Sequence, residues 1–438
     1  MFENICIILL VNIIFYAKAI CYKYSSDDIP VYNNPPNTSS NFQKFVYWLE
    51  GRIRYEPQVD HFLSIIIHSI VCVLIYTAFG ANEVSFWAAL LFSFNPVNNQ
   101  GNIWCSGKPY AYPALGILGA MTFPKLSFIF MLLATYFNAG FIVPLSFIAH
   151  DEFKWFLLMV PIVWAIYYKR FRRNVEHKMS MEMFDEDKAI KIEKLILGIK
   201  TLGFYTTLCF IPFKNTFYHS FLQSASGIGK TKAYEWKDRF FFIGLMFIGL
   251  AGWYVCNNHS GNVFFCIFLF LFAIAPFLNF FRMSQEIAER YCYLPNVAIM
   301  YILASMIYPN VILLVFFIAV YATKMWFYMD CYEDEYYLTE TACLNSPDSW
   351  FAWHVRAMKR FDAMSYQEAL ILWTICLKIS PKEFKINFNI ASLLAQTGHK
   401  AEAEKFLKTA EDNIPGGQEG QAKELIRKWR EGNQAILL

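Results

Sequence analysis

Apolar runs recur through the first three quarters of the chain, near residues 3–20, 61–80, 84–97, 109–123, 124–138, 152–168, 196–213, 240–257, 261–281, 293–308 and 309–327. In hydrocarbon no water is available to the backbone, so each run must satisfy its own N–H and C=O groups as a helix of about 20 residues. Eleven such runs predict an all-α polytopic membrane protein. Composition agrees with this. Of 438 residues, 56% are hydrophobic and 17% are charged, against roughly 25% charged in an average soluble domain. The formal charge of +3 is small and its residues are clustered, which excludes a nucleic-acid partner. Disorder and a small disulfide scaffold are excluded as well.

Ala17-Lys18-Ala19 has the small-x-small form of a signal-peptidase site. The first run therefore reads either as a retained span or as a cleaved signal. Glu3, and the absence of Lys or Arg ahead of the run, favour the span. Residues 139–151 follow Asn138 and hold Gly140 and Pro144, so they read as a short re-entrant or interfacial piece. Lys169-Arg170-Phe171-Arg172-Arg173 places its loop in the cytoplasm by the positive-inside rule. Counting spans from there puts 21–60, 98–108, 214–239, 282–292 and everything after about 328 on the opposite side. The mixed charges of 174–195 read as a cytoplasmic linker running into an amphipathic helix. The 11 cysteines include no C-x-x-C pair and read as packing thiols. No clustered ligands indicate a metal.

Beyond about residue 330 the chain turns polar and a period emerges. Pro347, Pro381 and Pro415 are 34 residues apart, and Ala357/Ala391, Ala369/Ala403 and Cys376/Ala410 recur in phase. Trp353, Trp373 and Gly398 fall where a helix–turn–helix unit wants bulk or a turn. This pattern resembles the tetratricopeptide repeat, in which small residues let paired helices approach and Pro ends the second helix. Two full repeats follow a half repeat (332–345) and precede a polar capping helix near 418–432. Stacked repeats of this kind form an α-solenoid with a concave surface for extended peptide. The plainer reading is a structural cap on the last span.

Asp27 and Asp28 lie within ten residues of the first run's end. Neighbouring carboxylates at a membrane surface repel each other beside a low-dielectric boundary, which makes them better bases. Further motifs then follow in order. They are Asn34-Pro35, then His61 and His68 two turns apart on one helix, then Asn95-Pro96-Val97-Asn98-Asn99-Gln100 with Trp104, Ser106, Gly107 and Lys108. The last is Ala288-Glu289-Arg290-Tyr291-Cys292-Tyr293-Leu294-Pro295. Together with the repeats, this succession resembles the transmembrane and tetratricopeptide-repeat (TMTC) proteins. These are O-mannosyltransferase relatives in the C-type glycosyltransferase superfamily. The family's stretch H-P-V-H-x-E-x-x-x-W-x-S-G-R keeps its Pro, Val, Trp, Ser and Gly here. Its two His are Asn95 and Asn98, its Glu is Gln100 and its Arg is Lys108. A Tyr-Arg-Pro of the first loop reads Tyr55-Glu56-Pro57, and a Ser-Lys-Glu near 138 is missing.

The resemblance implies a membrane domain over 1–327 and a repeat domain over 328–438. It further implies transfer of a sugar from a polyprenyl-phosphate donor to Ser or Thr of an exported or surface protein, with inversion. Asp27 or Asp28 would be the base. Arg290 would bind the donor phosphate, with Lys108, Arg52 and Arg54 as further candidates, and Glu289, Tyr291, His61 and His68 in support. The compartment would be the bacterial inner membrane or the endoplasmic reticulum. The replaced ionisable residues keep open an inactive, membrane-anchored repeat scaffold. Ser226-Gly227-Ile228-Gly229-Lys230-Thr231 ends like a phosphate-binding P-loop, but Ser224 stands where its first Gly belongs, so it reads as a loop. Asn37-Thr38-Ser39 is a glycosylation acceptor only in a eukaryotic chain.

Overall fold

The computed structural model describes residues 1–26, 28, 56–136, 140–149, 191–212, 214–219, 236–280, 287–414 and 419–432. Outside these residues lie Asp27, Arg52 and Arg54, the Asn37 sequon, the run at 152–168, the basic cluster at 169–173, most of the linker and the 226–231 loop. The described residues form helices and turns, with no strand among them.

Among the described residues, four helices are long and apolar enough to cross a membrane: Phe2–Cys21, Pro57–Ala78, Arg239–Asn257 and Val311–Tyr332. The first combines α1 (Phe2–Tyr16) with a 3-10 turn, Ala17–Cys21. The others contain α2 (Pro57–Ala78), α8 (Arg239–Asn257) and α11 (Val311–Tyr328). Phe242, Met246, Leu250 and Trp253 on α8 and Ile312, Val315 and Phe316 on α11 are exposed. Such apolar outer faces suit lipid and mark a membrane protein.

Other apolar runs form shorter helices, and prolines explain several of the breaks. Helix α3 (Glu83–Phe94) ends at Asn95, whose ψ of 120° is the extended conformation a following proline favours. Helix α4 (Asn99–Asn102) is a single turn after it. Helix α5 (Tyr112–Thr122) stops before Pro124 and α6 (Ser127–Tyr136) begins beyond it. Helix α9 (Asn262–Ile274) gives way to a 3-10 turn, Ala275–Phe277, around Pro276. Residues 140–149 form a 3-10 stretch against α6 and α9. Helix α7 (Lys191–Phe210) covers the run at 196–213 but opens on charged residues, and its Lys200 is paired with Asp238 at 3.1 Å.

The centre of the membrane body is α3, which packs on α1, α2, α11 and α10 (Tyr293–Ile307). Polar side chains join the first helices in the interior. Ser93 Oγ donates to Asn12 Oδ1 at 2.8 Å, Tyr16 donates its hydroxyl to the Ser93 carbonyl at 2.5 Å, and Asn4 donates to the Tyr76 hydroxyl at 3.1 Å.

After α11 come α12 (Glu335–Asn345), α13 (Trp350–Asp362), α14 (Tyr366–Ile379), α15 (Phe384–Gln396), α16 (Lys400–Asp412) and α17 (Glu419–Arg430). The starts of α13 and α15, and of α14 and α16, are 34 residues apart, as the sequence period requires. Each helix packs on the next, and Ala357, Ala391, Ala369, Ala403, Cys376 and Ala410 are all fully buried. Gly398 turns the chain between α15 and α16 at φ +89°, where a side chain would be strained.

Candidate functional site

Described parts of 21–28, 98–110, 214–219 and 287–292 and of the chain after 328 contact one another. Lys18 at the foot of α1 pairs with Asp330 at 2.7 Å, and the Lys23 amide donates to the Glu333 carbonyl at 3.1 Å. This joins the first loop to the end of the last span. Between them lies the segment 98–110, to which the remaining stretches attach.

That segment is folded back on itself. Gly107 is placed so that a Cβ would overlap the Gln100 carbonyl, which brings the Gln100 and Ser106 ends side by side. Only glycine permits this approach. Asp28 reaches it from the first loop: Ser106 N–H donates to Oδ1 at 2.7 Å, and Ser25 N–H donates to Oδ2 at 3.0 Å. Its carboxylate is buried.

Arg290 reaches the same segment from the other side. Its N–H and its Nη1 donate to Gln100 Oε1 at 3.3 and 3.2 Å, and Nε donates to the Tyr110 hydroxyl at 3.3 Å. The guanidinium lies 5.3 Å from the Trp104 ring, 5.6 Å from Tyr110 and 5.2 Å from Tyr291. Tyr291 is itself stacked on Phe277 with centroids 4.2 Å apart. A planar cation over aromatic faces keeps its orientation.

Glu289 points elsewhere. Its Oε1 accepts from Thr216 N–H at 2.7 Å and faces His219 Nε2 at 3.2 Å, while Oε2 accepts from the Asn99 amide. Adjacent on one 3-10 turn, Glu289–Cys292, the two residues take different partners.

Lys108 is paired with Asp60, both of them buried. The ammonium thus has its counter-ion within the protein, which weakens its candidacy for donor phosphate. His61 shares this corner, facing the Lys23 carbonyl at 3.4 Å and Cys105 Sγ at 3.5 Å. His68 lies deeper, with Nδ1 2.7 Å from the Tyr293 hydroxyl and Nε2 3.3 Å from the Ser93 carbonyl. It joins three helices and stands apart from Asp28 and Arg290.

Sequence reasoning missed Asp60, Gln100 as the partner of Arg290, and the Asn99–Tyr332 link. A signal existed for the first: an aspartate at the mouth of an apolar run needs a cation, and Lys108 lies in the next loop. Among the described residues, no group of three or more His, Cys, Asp or Glu is placed to hold a metal ion. No protein-family model, curated protein or solved structure matches this chain.

Proposed function

We propose that the chain is a membrane glycosyltransferase of C-type architecture, built from the eleven apolar runs of residues 1–327 and a tetratricopeptide-repeat solenoid over 328–438. It moves a sugar from a polyprenyl-phosphate donor to a Ser or Thr hydroxyl of an exported protein gathered by the repeats. The end where the loops meet is the extracytoplasmic one. One observation carries this reading: the short segment 99–108 binds a carboxylate, Asp28, through Ser106 and a guanidinium, Arg290, through Gln100. A base and a phosphate-binding cation on one folded loop are what a single inverting displacement needs.

In that displacement the acceptor oxygen attacks the anomeric carbon on the face opposite the phosphate. The new glycosidic bond forms as the bond from carbon to phosphate oxygen breaks, and the hydroxyl proton passes to Asp28 or Asp27. The leaving phosphate keeps the electron pair, and Arg290 neutralises the charge that develops on it. Gln100 and the three aromatic rings hold the guanidinium beforehand, so no reorganisation is needed at that moment.

The test is mass spectrometry of exported proteins from cells carrying Asp28→Asn, Asp27→Asn or both. A general base contributes about 10²–10⁴ in rate, so glycopeptides should vanish in at least the double variant. Undiminished glycosylation in the double variant refutes the assignment.

A scaffold without catalysis is favoured by a specific observation. Asn98, Asn99 and Gln100, which replace or adjoin ionisable residues of the family pattern, are all engaged in structural hydrogen bonds. Asn98 donates to the Phe92 carbonyl at 2.7 Å and accepts from Asn296 at 3.1 Å. Glycan-free partners that co-purify with the chain, and whose association survives the double Asp variant, would support that reading.

A further inference from the structure

Both oxygens of Glu289 are held by bonds that begin beyond α11, one at the end of the last span and one in α12. Tyr332, at the end of the last span, donates its hydroxyl to Asn99 Oδ1, and the Asn99 amide donates to Glu289 Oε2. Asn345, the last residue of α12, donates its amide to the Asn215 carbonyl at 2.7 Å. The N–H of that same peptide group, on Thr216, donates to Glu289 Oε1 at 2.7 Å. One amide thus carries the link from Asn345 to the carboxylate, and a bond accepted at its oxygen polarises the one donated by its nitrogen. Tyr332, Asn99, Asn215, Thr216 and Glu289 are all buried, so water does not substitute for these bonds.

Glu289 is the first residue of the turn from which Arg290 projects. We propose that Tyr332 and Asn345 are positioning residues for Arg290, so that the repeat region sets the affinity of the donor-phosphate site through the Glu289 carboxylate. The phosphate part of this rests on the function proposed above; the mechanical part does not. Coupling of this kind is reciprocal, so phosphate bound at Arg290 also steadies the start of the repeats.

The experiment uses the full chain in lipid nanodiscs, with a polyprenyl monophosphate as probe and hydrogen exchange as a second readout. Tyr332→Phe removes one hydroxyl and leaves Asn99 with a buried acceptor unmet. It should speed exchange at 288–292 and 214–219 and weaken probe binding at least about five-fold. Asn345→Ala, a milder change at the protein's edge, should do the same to a lesser degree. Exchange in α13–α16 should stay as in the wild type. Arg290→Ala separates the two ideas. If it leaves probe affinity unchanged, the phosphate reading falls, while faster exchange in Tyr332→Phe still supports the mechanical link. Unaltered exchange at 288–292 in both junction variants, or loosening spread evenly over the protein, overturns the positioning role.

Discussion

The Lys108–Asp60 pair gives the sharpest quantitative test of how the candidate site is held. Lys108 is 1% exposed and Asp60 not at all. Removing one partner of such a pair leaves a charge without its counter-ion in a dry place, at a cost of about 3–5 kcal/mol, whereas apolar replacement of both is often neutral. At roughly 2.1 cal/mol/K of unfolding entropy per residue, a chain of this length changes Tm by about 1 °C per kcal/mol. Asp60→Leu and Lys108→Met alone should each lower Tm in detergent by about 3–5 °C. The combined variant should recover most of that loss. Tryptophan fluorescence during a thermal ramp reads this directly. On the function proposed above, the combined variant should also still bind a polyprenyl monophosphate, because the bond between Lys108 and Asp60 pins α2 to the loop while Arg290 is the residue assigned to the phosphate. Single variants as stable as wild type, or a combined variant no better than either, would refute the buried-pair argument. Loss of phosphate binding only in variants lacking Lys108 would return that lysine to the donor site.

Three further outcomes are expected. Gly107→Ala forces a methyl into the Gln100 carbonyl, and should lower Tm and weaken phosphate binding together, since Gln100 also holds Arg290. Burial pushes the Cys343 thiol up to about 12, so at pH 8 a maleimide should leave it unlabelled in the folded chain. Cys21, exposed at the foot of the first span, should react, and with the other exposed thiols, Cys6 and Cys256, changed to Ser, a membrane-impermeant reagent then reports which side the site faces. Burial also lowers the Lys385 ammonium below its usual 10.5. The unfolded chain then binds more protons than the folded one between the two values, so stability should rise with pH across that window. Lys385→Met should remove this rise, as followed by melts at a series of pH values.

The apolar runs near 3–20, 61–80, 240–257 and 309–327 are helices within a few residues of where hydropathy puts them. The 34-residue period likewise sets the starts of the C-terminal helices, since equal spacing of small residues demands equal spacing of the packed faces. Asn95-Pro96, Pro124 and Pro276 are as plain in the sequence as the runs they interrupt. A mean over a hydropathy window nonetheless passes over a proline, whose missing donor ends the helix. Asp28 and Arg290 are nameable as residue types, but their attachment to the one segment 99–108 is not. It depends on Gly107 letting the loop fold back, an effect of one absent methyl group. The different partners of Glu289 and Arg290 are hidden for a related reason: they depend on the pitch of a single turn.

The hydrogen bonds of α1 bear on how the chain matures. A leader peptidase clipping after Ala19 would carry off Asn4, Asn12 and Tyr16. The Ser93 hydroxyl would then lose its Asn12 acceptor, the Ser93 carbonyl would lose the Tyr16 hydroxyl, and the Tyr76 hydroxyl would lose the Asn4 amide. Lipid offers no replacement for such groups. These bonds make the first helix part of the packed interior and not a detached leader-like segment.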